Sequence, residues 1–88
     1  MEIKFERTFF KDLNNIKDKK TATSVKNIIT KLENASDIRA IPNLKKMKGH
    51  PTAYRIKAGD YRLGIFIAGN LIEIVRFLHR KEIYRFFP

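Results

Sequence analysis

The feature that most constrains this chain is a triplet of apolar runs, "AYRIK", "YRLGIFI" and "LIEIVRFL", separated by the short turns "AGD" and "AGN". Glycine adopts positive φ at little steric cost, so each turn can reverse the chain tightly and join two antiparallel strands. The alternation assigns faces. Tyr54 and Ile56 share one side of the first strand, with Arg55 and Lys57 on the other. Tyr61, Leu63, Ile65 and Ile67 share one side of the second, with Arg62, Gly64 and Phe66 opposite. The third run is almost continuously apolar, as expected of a central strand. The C-terminal half is therefore a β-meander, one face of which must be covered.

The N-terminal half supplies the cover. "MEIKFE" alternates, with Ile3 and Phe5 on one face, and reads as a half-buried strand. Thr8 is the candidate cap of a first helix whose buried stripe is Phe9, Leu13 and Ile16, flanked by Phe10. "KDKKTA" reads as a polar turn. Val25, Ile28, Ile29 and Leu32 then fall at i, i+3, i+4 and i+7 of a second helix, making an αα-hairpin. Residues 34–52, punctuated by Pro42, Gly49 and Pro51, read as irregular, anchored by Leu44 and Met47 with Lys45, Lys46 and Lys48 pointing outward. The end, "HRKEIYRFFP", reads as a short helix or tail whose Phe86, Phe87 and Pro88 close the core or meet a partner. The predicted fold is α+β, in the order βααβββ: a small, twisted, mainly antiparallel sheet with an αα-hairpin on one face. Its 88 residues, 1–88, suffice for one domain.

Composition narrows the function. The absence of cysteine excludes disulfides and thiolate metal sites. His50 and His79 lack ligand spacing, so no metal or cofactor is expected; His50, between Gly49 and Pro51, reads as a loop residue. Residues 1–10 mix charged and apolar side chains without the continuous apolar stretch of a signal peptide, and no run is long enough to span a bilayer. A cytoplasmic protein without membrane contact is expected. Nineteen Lys and Arg against nine Asp and Glu give a net charge of +10, which favours a polyanionic or acidic partner. The charge is also clustered. Lys45, Lys46, Lys48, Arg55, Lys57 and Arg62 are accompanied by a single acid, Asp60. Arg76, Arg80, Lys81 and Arg85 are accompanied by Glu82 alone. Alternation puts Arg55, Lys57 and Arg62 on the sheet face away from the helices, the expected site of a phosphate-binding groove.

Taken together, "LKKMKGHPTAYRIKAGDYRLGIF" and "FLHRKEIYRFFP" resemble the RelE/ParE superfamily of toxins from type II toxin–antitoxin systems. The pattern is an L-x-x-M/L-x-G segment, Y-R-I/V-K/R, a G-D-Y-R turn and strand, and H-R-x-x-I/V-Y-R. The order βααβββ agrees, and the resemblance spans essentially the whole chain. It implies a small toxin neutralised by a cognate acidic antitoxin protein, with contact to DNA only through the antitoxin complex. Members of the RelE branch are endoribonucleases (mRNA interferases) that cut messenger RNA in the ribosomal A site, so mRNA and the ribosome are the implied partners. Members of the ParE branch poison DNA gyrase without a catalytic step. A degenerate toxin that only binds its antitoxin and represses transcription with it is a further alternative.

Metal-independent RNA cleavage needs a base for the 2′ proton, cations for the charge growing on the phosphate, and an acid for the leaving 5′-oxygen. By resemblance, Lys57, with Arg55 as a weaker choice, is the candidate base or stabiliser of its anion. Arg62 is the candidate phosphate clamp, Arg80 assists the transition state or the leaving group, and Tyr84 stacks on a base or orients the 2′-OH. Lys57, Arg62, Arg80 and Tyr84 form the implied catalytic set. Arg55, Lys45, Lys46, Lys48 and His79 form the implied substrate-binding set, His79 doubling as an extra acid or base. Glu73 is read instead as an ion-pair partner of Arg62 or Lys57. Relative to some RelE toxins, the hairpin between Lys57 and Tyr61 is short, and no basic helix extends beyond Tyr84.

Overall fold

A computed structural model describes all residues from Met1 to Pro88. Strand β1 (Glu2–Phe5) leads into helix α1 (Arg7–Asn14) and helix α2 (Lys19–Asn34). A single 3-10 turn (Ile38–Ala40) precedes β2 (Leu44–Lys46), β3 (Ala53–Ala58), β4 (Tyr61–Ala68), β5 (Leu71–His79) and a one-turn helix α3 (Ile83–Phe86). The sheet has five strands in the order β1-β5-β4-β3-β2. The first strand runs parallel to β5 and every other pair is antiparallel. No helix is long and apolar enough to cross a membrane.

The meander forms as its turns dictate. Gly59 and Gly69 take φ of 60° and 58° at the first position of two-residue hairpin turns, which matches the twist of the flanking strands. The register places Tyr54, Ile56 and Ala58 opposite Ile65, Leu63 and Tyr61. Ile56, Leu63, Ile65, Ile72, Ile74 and Phe77, each almost fully buried, pack there against Phe9, Val25 and Leu32 of the helices. Burial of each such side chain contributes about 1.5–3 kcal/mol.

Several local expectations change. Thr8 lies inside α1 and does not cap it. The chain turns helical after Glu6, whose N–H donates to the Ile74 carbonyl at 2.9 Å, and the Thr8 hydroxyl donates instead to the Val75 carbonyl at 2.7 Å. Val75 is the extra residue of a β-bulge: Ile65 pairs with Ile74 and Gly64 with Arg76, so Val75 has no register partner. The polar turn between the helices is shorter than "KDKKTA" because Asp18 caps α2. Its carboxylate accepts from the Lys20 and Thr21 N–H groups and from the Thr21 hydroxyl at 2.7 Å. These bonds, the hydroxyl's first, hold the Asp18 carboxyl below its ordinary value of 3.8. The cap's contribution is thus present above that value and lost as the pH falls through the lower folded-state value. Helical circular dichroism recorded during acid titration is expected to lose this component in Asp18→Ala, whose α2 is weaker at neutral pH. Residues 34–52 are not wholly irregular, since β2 pairs Leu44, Lys45 and Lys46 with Ile56, Arg55 and Tyr54. Three residues were too short a run to betray a strand, and their lysines suit an edge.

The largest revision concerns the far face of the sheet, expected to be open. Ala53, Phe66, Val75 and Leu78 project there. The C-terminal turn covers them, forming a second small core with Met47, Ile83 and Phe87. Ile83 is fully buried, and Phe87 packs on Phe66 at 5.2 Å between ring centres.

Candidate functional site

The cations of the far face are arranged around this small core rather than across a bare sheet. Lys45, Arg55, Gly64 and Arg76 form one transverse row through β2, β3, β4 and β5, and Lys57, Arg62 and Leu78 form the next. Lys57 and Arg62 are therefore direct cross-strand neighbours. Tyr84, on α3, is exposed, and the Arg55 guanidinium carbon lies 5.4 Å from its ring centre, within cation–π range.

The β3–β4 turn ties two more groups to this end. Arg62 Nη1 donates to the Gly59 carbonyl at 2.8 Å and to the Tyr61 carbonyl at 2.9 Å. The backbone N–H of Arg80 donates to the Asp60 carbonyl at 2.7 Å. Arg62 and Arg80 are thus fastened to adjacent residues of one turn, while the Arg80 side chain is free and exposed. The ion pairs of the molecule are Lys4–Glu6, Arg39–Asp37 and Arg76–Asp12. None of Lys45, Arg55, Lys57, Arg62 or Arg80 has a carboxylate partner. Glu73 does not pair with Arg62 or Lys57; it stands opposite Phe66 and Lys4 in the sheet. Unneutralised positive charge around an aromatic side chain is what a nucleic-acid backbone with splayed bases requires.

Three of the sequence-derived site residues lie apart from this cluster. His79 pairs with Tyr61 at the end of β5 and meets its ring edge-on at 5.6 Å. It borders a hollow with Asp12, Asn15 and Ile16 on the helix side, and its Nδ1 accepts the Lys81 N–H at 3.2 Å. Lys46 shares the parity of Tyr54, so it points to the helix side of the edge strand. Lys48 is exposed in the turn after Met47.

Two features escaped the sequence. Asp12, 8% exposed, accepts from Arg76 Nε at 2.7 Å, Arg76 Nη2 at 3.0 Å and the Phe77 N–H at 3.0 Å. The bond from Asp12 raises the Arg76 pKa further above its already high ordinary value, so this guanidinium is permanently charged. Arg76 also lies 5.9 Å from the Phe86 ring centre, beneath the C-terminal turn. The signal was available: Asp12 falls on the apolar stripe of α1, where a carboxylate calls for a buried cation. The second feature is an apolar cleft between α1 and α2, lined by Phe5, Phe9, Phe10, Leu13, Val25 and Ile29. Phe5 and Phe10 at its mouth are 37% and 48% exposed.

Fold and site together define a small mixed α+β protein with a sheet face rimmed by cations that have no carboxylate partner and partly closed by its own C-terminal turn. Residues 3–84 match the family described as the ParE toxin of type II toxin–antitoxin systems. The chain is 38% identical to Toxin RelE3 of Methanocaldococcus jannaschii over 89 residues, covering the whole of both. It also superposes on a RelB–RelE antitoxin–toxin complex from Methanococcus jannaschii with a TM-score of 0.81 at 38% identity, covering 97% of this chain and 99% of the other. An archaeal RelE–RelB complex from Pyrococcus horikoshii OT3 shares the fold at 22% identity, with a TM-score of 0.71 over 90% of this chain and 93% of the other. The chain belongs to the RelE/ParE superfamily and is a toxin of a type II toxin–antitoxin system.

Proposed function

We propose that the whole chain, 1–88, acts in the cytoplasm as a metal-independent endoribonuclease that cuts messenger RNA on the ribosome. The observation that carries this reading is the set Arg55, Lys57 and Arg62 on one sheet face, without carboxylate partners, with the exposed Tyr84 over Arg55 and Arg80 tied through its backbone to the adjoining turn. Similarity to a protein named RelE supports it. In the reaction the ribose 2′-OH loses its proton, with Lys57 the candidate base. The O2′–P bond forms, the P–O5′ bond breaks, and the leaving oxygen takes up a proton. The products are a 2′,3′-cyclic phosphate and a 5′-hydroxyl. Arg62, with Nη1 fixed to the turn, presents Nη2 and Nε to the phosphate. Arg80 reaches the same end of the site for the charge on the leaving oxygen, and Tyr84, backed by Arg55, stacks on a base.

The partner that neutralises it is an acidic antitoxin. The net charge of +10 favours rapid association with such a protein, and the similarity to complexes named RelB–RelE supports it. The apolar cleft between α1 and α2 would seat the apolar face of that partner. Phe10→Ser is expected to weaken the complex by about 10-fold or more, measured by calorimetry, with little change in fold because Phe10 is half-exposed.

Purified toxin added to translating ribosomes, in the presence of chelator, is expected to release mRNA fragments ending in 2′,3′-cyclic phosphate. The match to a family named for ParE favours one other reading, gyrase poisoning. Intact RNA together with inhibited gyrase supercoiling would establish that reading instead. In cells, the double variant Arg62→Ala/Arg80→Ala is expected to abolish growth arrest at equal expression.

A further inference from the structure

We propose that Gly64 is a positioning residue: it leaves on the sheet the gap in which Phe87 sits, and so sets Tyr84 over Arg55. This inference rests on the reading of Tyr84 as part of the RNA site. Gly64 is in the middle of β4, between Arg55 of β3 and Arg76 of β5. Its φ is not positive, so backbone conformation does not call for glycine there. Glycine inside a strand weakens it, and its presence marks a bulge or a close approach by another part of the chain. The extra residue of the bulge here is Val75 on β5, across from Gly64 and Ile65, which leaves the close approach. That approach is the Phe87 ring. A Cβ at position 64 would stand 2.8 Å from Phe87 Cγ and Cδ2 and 3.0 Å from Cδ1, well inside ordinary contact.

The ring has little room to yield. Phe87 is 3% exposed, packs on Phe66, and its N–H donates to the Ile83 carbonyl at 2.8 Å. Four helical residues have no stability of their own, so the place of α3 is set by its anchors, Ile83 and Phe87. Tyr84 follows Ile83 directly and stands over Arg55 from the turn those anchors hold. A methyl group at position 64 therefore displaces Phe87 and carries Tyr84 off Arg55, while the helix-side core of Leu63 and Ile65 is untouched. A misplacement near 1 Å is enough to cost about 100-fold in rate.

The test joins a structural readout to a kinetic one. In NMR spectra the Arg55 Nε–Hε resonance senses the Tyr84 ring, and Tyr84→Ala supplies its ring-free position. Gly64→Ala is expected to move the resonance toward that position, and Gly64→Ala/Phe87→Leu to move it back. In cleavage, Gly64→Ala should lower kcat by about 10- to 100-fold in the wild-type background and less than about 2-fold in Tyr84→Ala. A folded Gly64→Ala protein with an unmoved Arg55 resonance, or an equal loss of kcat in both backgrounds, would overturn the proposal. Should Gly64→Ala not fold, Phe87→Ala removes the ring from the other side and is held to the same two readouts. Should the wild type cut no RNA, the ribonuclease reading falls, and the Arg55 resonance alone decides this one.

Discussion

Asp12→Ala is expected to cost about 3 kcal/mol, the lower end of the typical penalty for removing one partner of a buried ion pair, because the Arg76 side chain keeps 24% exposure. The carboxylate is 8% exposed and accepts three hydrogen bonds, so its loss strands the Arg76 guanidinium and leaves the Phe77 N–H without an acceptor. A chain of 88 residues has a total stability of only roughly 0.05–0.15 kcal/mol per residue, so about a quarter to two-thirds of the margin disappears. At about 4–8 °C per kcal/mol, the thermal midpoint should fall by about 12–24 °C. Denaturant titration is the direct check. Replacing both partners with apolar residues, Asp12→Leu/Arg76→Met, is expected to recover much of the loss, because no charge is then left unpaired. A midpoint unchanged in Asp12→Ala would mean that the pair does not join α1 to β5.

Arg62→Ala carries the second large effect, on chemistry rather than stability. Its hydrogen bonds go to two carbonyls of a surface turn, so the alanine variant should fold normally. Removing a charge-stabilising donor from a site of this kind lowers the rate by about 10²- to 10³-fold. Arg62→Lys should recover little of it, since a lysine cannot hold the turn and present a planar fork to phosphate at once. Single-turnover cleavage of one defined message, at equal protein concentration and unchanged thermal midpoint, measures the effect. Wild-type rates in Arg62→Ala would remove Arg62 from the site.

The meander was legible because "AGD" and "AGN" impose tight reversals and because β3 and β4 alternate cleanly. The same alternation put Arg55, Lys57 and Arg62 on one face, and the register agrees. What alternation could not supply was the arrangement of β5. Its near-continuous apolar run hides both the bulge at Val75 and the faces of Arg76 and His79. The parallel pairing of β1 with β5 depends on two helices folding back, which no local pattern encodes. The cover over the far face was half-visible. Phe86 and Phe87 announced an apolar end and Phe66 an apolar position among cations, but only the three-dimensional register sets Phe87 against Gly64. The cation cluster is consequently a rim around a small core, with Tyr84 presented by the same turn that closes it.

The central claim, that this toxin cuts messenger RNA with the cations and tyrosine of the far face, is tested most directly in cells. Brief induction in a bacterial host, followed by primer extension, maps every new RNA 5′ end. Cuts at fixed positions within translated codons, absent in Arg62→Ala, are the predicted result. Intact messages would contradict it: with DNA damage and filamenting cells they would identify a gyrase poison, and with no phenotype at all, a chain that only binds its antitoxin.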